Sequence, residues 1–213
     1  MGWTIFDQHT VAYDRWFDAH RPLFRAEVSA VRRFIPSAGL GVEIGVGTGR
    51  FAAALGIKYG IEPSRRMATI AQSRGLTVCQ AVGEALPFPA GGFDYALLVT
   101  VICFVDDVPA LLGEARRVLK TSGRLIVGFI DRNSALGQLY ESRKESDEFY
   151  RPAHFYSAAQ VADQVRQAGF GRLESCQTLF GLPGEAPEIE PVRAGYGAGA
   201  FVVLNARKGE KGG

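Results

Sequence analysis

The chain has 213 residues, 47% of them hydrophobic, and a formal net charge of +2, which suits a single compact domain with a substantial core. Its scattered basic residues lack the clustered footprint of a nucleic-acid binder. No apolar run reaches the ~18–20 residues that a membrane span requires, so neither nucleic acid nor membrane is expected as a partner.

The opening Met1-Gly2-Trp3-Thr4-Ile5-Phe6-Asp7 lacks the basic region and long apolar core of a signal peptide, and a cytoplasmic location is the expectation. Cys79, Cys103 and Cys176 are widely spaced and form no zinc pattern. They read as three packed thiols, with no metal. The weakly basic end, Arg207, Lys208 and Lys211, reads as a solvated terminus.

Residues 22–35 place Leu23, Phe24, Val28, Val31, Phe34 and Ile35 at helical spacing before Pro36-Ser37-Ala38-Gly39 breaks the chain. A short apolar run then enters the glycine loop Gly45-Val46-Gly47-Thr48-Gly49, which opens a helix over 49–56. Further signals alternate: a strand ending at Glu62, a helix over 64–74, strands at 77–82 and 94–100, and a helix over 107–120. The last of these carries one apolar stripe, an Asp at its start and Gly123 after its end. A strand at 124–130 follows. Ser157-Ala158-Ala159-Gln160 forms a capping box that opens another helix, and strands at 172–180 and 199–206 close the chain. Such alternation predicts an α/β fold with a mostly parallel sheet covered by helices on both faces.

Glycines at 45, 47 and 49 permit a tight turn and close approach of a ligand to the backbone, and the N–H groups at the following helix start favour an anionic group. The dinucleotide fingerprint G-x-G-x-x-G wants a third glycine where Arg50 stands, and no segment fits the G-x-x-x-x-G-K-[ST] phosphate loop. Glu43 completes E-x-G-x-G-x-G instead. With the acid of Tyr59-Gly60-Ile61-Glu62-Pro63-Ser64, the Gly83-Glu84-Ala85-Leu86-Pro87-Phe88 segment and Arg117-Val118-Leu119-Lys120-Thr121-Ser122-Gly123-Arg124-Leu125, the chain resembles class I S-adenosylmethionine-dependent methyltransferases of the small-molecule type. The resemblance covers about residues 40–130.

That resemblance implies a Rossmann-like sheet of seven strands, the last antiparallel and inserted beside the sixth. It implies a single domain over 1–213: an N-terminal helical lid (1–35), a cofactor-binding core (36–130), a lid insertion (131–156), and a C-terminal helix with the last two strands (157–213). It also implies S-adenosylmethionine as methyl donor and S-adenosylhomocysteine as product. Gly45, Val46, Gly47 and Gly49 would pass under the methionine part and ribose, with Glu43 near the methionine ammonium. Glu62 would take the ribose hydroxyls, with Pro63 and Ser64 beside the adenine. Gly83, Glu84 and Ala85 would meet the adenine edge, and Thr100 would pass close to the cofactor. Many relatives carry an Asp where this chain has Val82, so adenine recognition here must use backbone, Glu84 or water.

Methyl transfer from a sulfonium needs collinearity and dryness more than a dedicated acid or base, so no catalytic residue is assigned. An N-P-P-Y-type motif is absent after strand four, where Thr100-Val101-Ile102-Cys103-Phe104 stands, and a small-molecule acceptor is favoured. The aromatic-rich flanks point to Tyr13, Trp16, Cys103, Tyr140, His154 and Tyr156 as acceptor-binding candidates. If a base exists, His154, Tyr156, Tyr13 or His20 could serve, His154 foremost because imidazole titrates near neutrality. Two rivals stay open: a nicotinamide-dependent oxidoreductase on a similar sheet, and a non-catalytic cofactor-binding regulatory module.

Overall fold

The computed structural model describes residues 2–181 and 190–209; Lys211 of the basic end lies outside them. Eight strands, β1 (Gly41–Ile44), β2 (Tyr59–Ile61), β3 (Thr77–Cys79), β4 (Phe93–Val99), β5 (Leu119–Ile130), β6 (Phe170–Thr178), β7 (Arg193–Ala194) and β8 (Phe201–Lys208), form one sheet in the order β3-β2-β1-β4-β5-β8-β6-β7. The first five in that order pair in parallel, and β8 runs antiparallel to both β5 and β6. The sheet thus follows the Rossmann-like methyltransferase plan with one strand more than the seven expected. The addition is β7, two residues paired with Cys176 and Gln177 at the sheet edge.

The sheet is buried on both faces because its central strands are apolar throughout. Along Phe93–Val99 only Asp94 is not fully buried, as a doubly covered parallel strand requires. Strand β8 alternates between two cores: Val202, Leu204 and Ala206 face one, while Phe201 and Val203 face the other. The first core packs under α6 (Val108–Val118) and α8 (Ala158–Gln167), the second under α3 (Arg21–Arg32) and α4 (Arg50–Leu55). Side chains cap several of the helices. Asp107 accepts from the Ala110 N–H, Ser64 caps α5 (Arg65–Ser73) through the Met67 N–H, and Ser157 with Gln160 completes the capping box.

Several boundaries differ from expectation: the helix read over 22–35 is Arg21–Arg32, and the last two long strands lie at 170–178 and 201–208. The third strand ends at Cys79 rather than 82, because its partner β2 ends at Ile61 and the chain turns away there. Helix α6 ends at Val118 and β5 begins at once: Phe93 pairs with Leu119 while Tyr95 pairs with Arg124, so Lys120–Gly123 bulge out of the ladder. The N-terminal segment forms two helices ahead of α3, α1 (Thr4–Gln8) and α2 (Thr10–Ala19). After β5 come α7 (Ala135–Arg143) and a 3₁₀ turn, Lys144–Ser146. Among the described residues no helix is long and apolar enough to cross a membrane.

The strand order reverses between β1 and β4, and ligand crevices form beyond the carboxyl ends of strands at such points. The ladder that holds β5 beside β8 depends on Phe201, fully buried, with its ring against Gly128: a Cβ there would stand 2.7 Å from the ring. Phe201→Ala leaves a cavity at this seam and is expected to lower unfolding free energy by about 3–5 kcal/mol, read by denaturant titration.

Candidate active site

A cavity of about 540 Å³ opens at the switch point. Its floor is the glycine loop after β1. Gly47 and Gly49 adopt left-handed backbone, with φ of 55° and 84°, which other residues reach only at a cost. The Gly47 N–H donates to Glu62 Oε2 and the Ser64 N–H to Glu62 Oε1, both at 2.9 Å. This carboxylate therefore ties the loop after β1 to the loop after β2 while facing the cavity. Burial pushes it up to about 7, against the two backbone N–H groups, which favour its ionised form.

The loops after β4 and β3 form the adjoining wall. Thr100 has a φ of 53°, a strained setting for a β-branched residue. It is held by its N–H on the Gly128 carbonyl and its hydroxyl on the Val99 carbonyl. The Val101 side chain packs so closely on Gly45 that a Cβ there would lie 2.4 Å away. Glu84 Oε1 accepts from the Asp106 N–H at 3.2 Å, joining the two loops.

The roof comes from both aromatic-rich flanks. Phe6 stands 5.8 Å from Phe149 between ring centroids, and His9 Nδ1 lies 3.3 Å from Glu148, so α1 meets the segment after α7 over the cavity. Arg50, where a dinucleotide loop would carry glycine, reaches up to α2. It donates to both carboxylate oxygens of Asp14 and both of Asp18, each at 2.9 Å, and Arg74 adds a 2.9 Å bond to Asp14. Ser64 Oγ also donates to Asp7 Oδ1 at 2.6 Å, which ties α1 to the start of α5.

Of the residues singled out by sequence, Gly45, Gly47, Glu62, Pro63, Gly83, Glu84 and Thr100 line the cavity, as do Tyr13, Trp16, Cys103, Tyr140 and Tyr156. Six others do not. Glu43 is buried under the first turn of α4, where its carboxylate accepts from the Ala52 N–H and burial drives its pKa well up. Val46 turns onto Gly60, Gly49 packs on Ala71, and the Ser64 side chain is taken by its cap and by Asp7. Ala85 is exposed. His154 is corrected outward: burial alternates along residues 153–157, with Ala153, Phe155 and Ser157 buried and His154 exposed beside the Tyr156 ring. His20 stacks on Trp16 and bonds the Trp16 carbonyl, and it does not line the cavity either.

Trp3, whose buried indole N–H has no partner among the described residues, Phe149 and Tyr150 belong to the aromatic flanks but are not among the acceptor-binding candidates, and Glu27 was missed outright; all four line the cavity. Glu27 is 7% exposed, and burial pushes it up to about 8. The signal was present: Glu27 lies four residues after Leu23 and four before Val31, inside the apolar stripe of α3. Six carboxylates, Glu27, Glu62, Glu84, Asp106, Asp107 and Asp147, are among the described lining residues, and no Lys, Arg or His is.

Residues 42–127 match the family described as "Methyltransferase domain". The crystal structure of a SAM-dependent methyltransferase from Thermotoga maritima, described as a possible histamine N-methyltransferase, is 51% identical with a TM-score of 0.95, over 98% of this chain and 100% of that one. An uncharacterized protein of Methanocaldococcus jannaschii is 43% identical over 96% of this chain and 98% of its own length. One from Mycobacterium tuberculosis is 41% identical over 92% of this chain and 70% of its own.

Glu27 gives the ligand-free protein a pH signature. Folded, its carboxyl keeps a proton to about pH 8; its ordinary value is 4.5. The folded state therefore binds more protons than the unfolded chain across that window, and stability falls as pH rises through it. Glu27→Gln is expected to raise Tm at pH 8 and to change it far less near pH 4.5, with a difference on the order of 2–3 kcal/mol, measured by calorimetric melts.

Proposed function

The chain belongs to the S-adenosylmethionine-dependent methyltransferases, and within that family we propose that it methylates a small molecule enclosed between the glycine-loop floor and the aromatic roof. The observation that carries this reading is the closure of a ligand-sized cavity by both flanking segments at the switch point. S-adenosylmethionine, when bound, supplies an electrophilic methyl group on a cationic sulfur.

The chain's own residues fit such a donor. Glu62 already accepts two backbone N–H bonds and keeps lone pairs toward the cavity for the ribose hydroxyls. The glycines at 45 and 47 let a ligand lie against the backbone, and Pro63, Gly83 and Glu84 would flank the adenine, with Val82 contributing contact but no acceptor. A carboxylate-lined wall without basic groups complements a cationic sulfonium and ammonium, and opposes the pyrophosphate of a nicotinamide cofactor. Arg50 is engaged with Asp14 and Asp18, which suits a roof clasp and not a dinucleotide loop.

Residues 1–35 and 131–156 serve in this reading as a lid. It excludes water and aligns the acceptor with the methyl carbon, the two tasks that sulfonium transfer chiefly requires. Tyr13, Trp16, Cys103, Tyr140 and Tyr156 would shape the acceptor half. Val46, Gly49, Ser64 and Ala85 support the loops, Glu43 braces α4 from below, and His154 has no part in the chemistry.

Calorimetry is expected to show saturable binding of S-adenosylhomocysteine and none of NADH. Glu62→Ala should weaken that binding by roughly 1.5–3 kcal/mol. No binding to the wild type, or binding of NADH instead, would overturn the reading. Limited proteolysis tests the lid separately. S-adenosylhomocysteine should slow cleavage within residues 1–20 and 131–156, and Asp14→Ala, which strips both Arg50 and Arg74 of a partner, should hasten it. Equal cleavage rates across all conditions would count against a lid.

A further inference from the structure

We infer, building on the methyl transfer proposed above, that the acceptor is an amine, bound as its ammonium ion by Glu27 and deprotonated by the same carboxylate. Glu27 projects from the middle of an apolar stripe on α3 into the cavity. Burial is the one influence on its carboxyl, and no hydrogen bond or ion pair engages it among the described residues. Glu62 contrasts with it, held by two N–H groups. So does Glu43, held under α4 by the Ala52 N–H. A carboxyl buried without a partner is destabilising, and a hydrophobic residue of similar size would fill the same place with less penalty. Its place therefore points to a ligand that is absent from the protein itself.

The surroundings describe that ligand. Glu27 acts electrostatically on three tyrosine hydroxyls: Tyr13 from α2, Tyr140 from α7 and Tyr150 from the segment beyond. All three line the same cavity as Glu27. The Tyr140 and Tyr150 rings stack with centroids 4.5 Å apart, and Trp16 lines the same space. A carboxylate amid aromatic faces is the chemistry that holds an organic ammonium ion, by ion pairing and by cation–π attraction. The absence of basic groups from the described lining disfavours a carboxylate or phosphate acceptor.

The ammonium ion has no free electron pair and cannot be a nucleophile. In the step assigned to Glu27, one N–H bond breaks and an O–H bond forms on the carboxylate. The nitrogen retains the electron pair and with it takes the methyl group, whose former bonding pair remains on the donor's sulfur. The product is a methylated ammonium ion, and the proton held by Glu27 passes to water when the next ammonium ion enters and restores the carboxylate. A carboxyl raised to about 8 by burial is basic enough to hold a proton through the step, and the charge of an incoming ammonium ion favours its ionised form again.

The test titrates two amines, 2-phenylethylamine and n-butylamine, against their neutral counterparts, 2-phenylethanol and 1-butanol. It uses wild type and Glu27→Gln, with and without saturating S-adenosylhomocysteine, and calorimetry as readout. The wild type should bind at least one amine more tightly than its alcohol. Glu27→Gln should lose about tenfold or more of the amine affinity, leaving alcohol and S-adenosylhomocysteine binding unchanged. Should Glu27→Gln fail to give the wild-type circular dichroism spectrum, Glu27→Met replaces it with the same expectation. Alcohols bound as tightly as amines, or amine binding indifferent to both substitutions, would overturn the inference. Failure of S-adenosylhomocysteine to bind the wild type strikes instead at the cofactor reading, since the amines are also titrated without it.

Discussion

The Glu62 carboxylate, pinned by the N–H groups of Gly47 and Ser64, is the constraint on which the site depends. One oxygen fixes the left-handed turn at Gly47, and the other fixes the entry to α5. Those two loops leave neighbouring parallel strands, so the carboxylate sets their separation and with it the width of the floor. The effect continues upward. Ser64, positioned by its own N–H, caps α5 and holds Asp7, which places α1. The floor and the α1 part of the roof are thus registered to one buried acid.

A second anchor runs through Arg50. Its guanidinium engages both oxygens of Asp14 and both of Asp18, while Arg74 shares Asp14. Exposed ion pairs contribute little, but Arg50 and Asp14 are each only 19% exposed, and the planar fork gives fixed geometry. The two anchors differ in kind. The Ser64–Asp7 contact joins α1 to the start of α5, whereas the Arg50 cluster joins α2 to the first residue of α4. Helix α2 is therefore held at its outer flank and leaves Tyr13 and Trp16 free to face inward.

Legibility in the sequence followed how local each signal was. The glycine loop, the acid at 62, the Asp107 and Ser157 caps and the stripe of α6 are set by neighbours within a few residues, and their places in the chain were readable. The insertion of β8 between β5 and β6 was implied only by family resemblance. Strand β7 left no signal, since Arg193 and Ala194 carry no alternating pattern and pair only because β6 offers an edge. Side-chain direction was harder still. Glu43 could not be read as facing α4 until the strand's pleat was known. His154 and Phe155 exchange inside for outside with a single-residue change of phase, and nothing in 150–157 fixes that phase locally. Glu27 was legible as a charge in an apolar stripe, but the tyrosines around it come from segments more than a hundred residues apart.

Three buried carboxyls, Glu27, Glu43 and Glu62, are all raised by burial, and no lysine or arginine enters the described lining to neutralise those that face it. A fold selected for stability alone would place a cation there. Leaving the positive charge to the ligands has a thermodynamic consequence: whatever cation binds restores the favourable ionisation of these acids, so binding energy and folding stability become coupled. The coupling is strongest where the roof closes, because desolvation sharpens every interaction beneath it. A cation on the Glu62 side and a second on the Glu27 side would both act on Tyr13, which lines the cavity and feels both acids. An arginine built into the wall would have neutralised those acids before any ligand arrived.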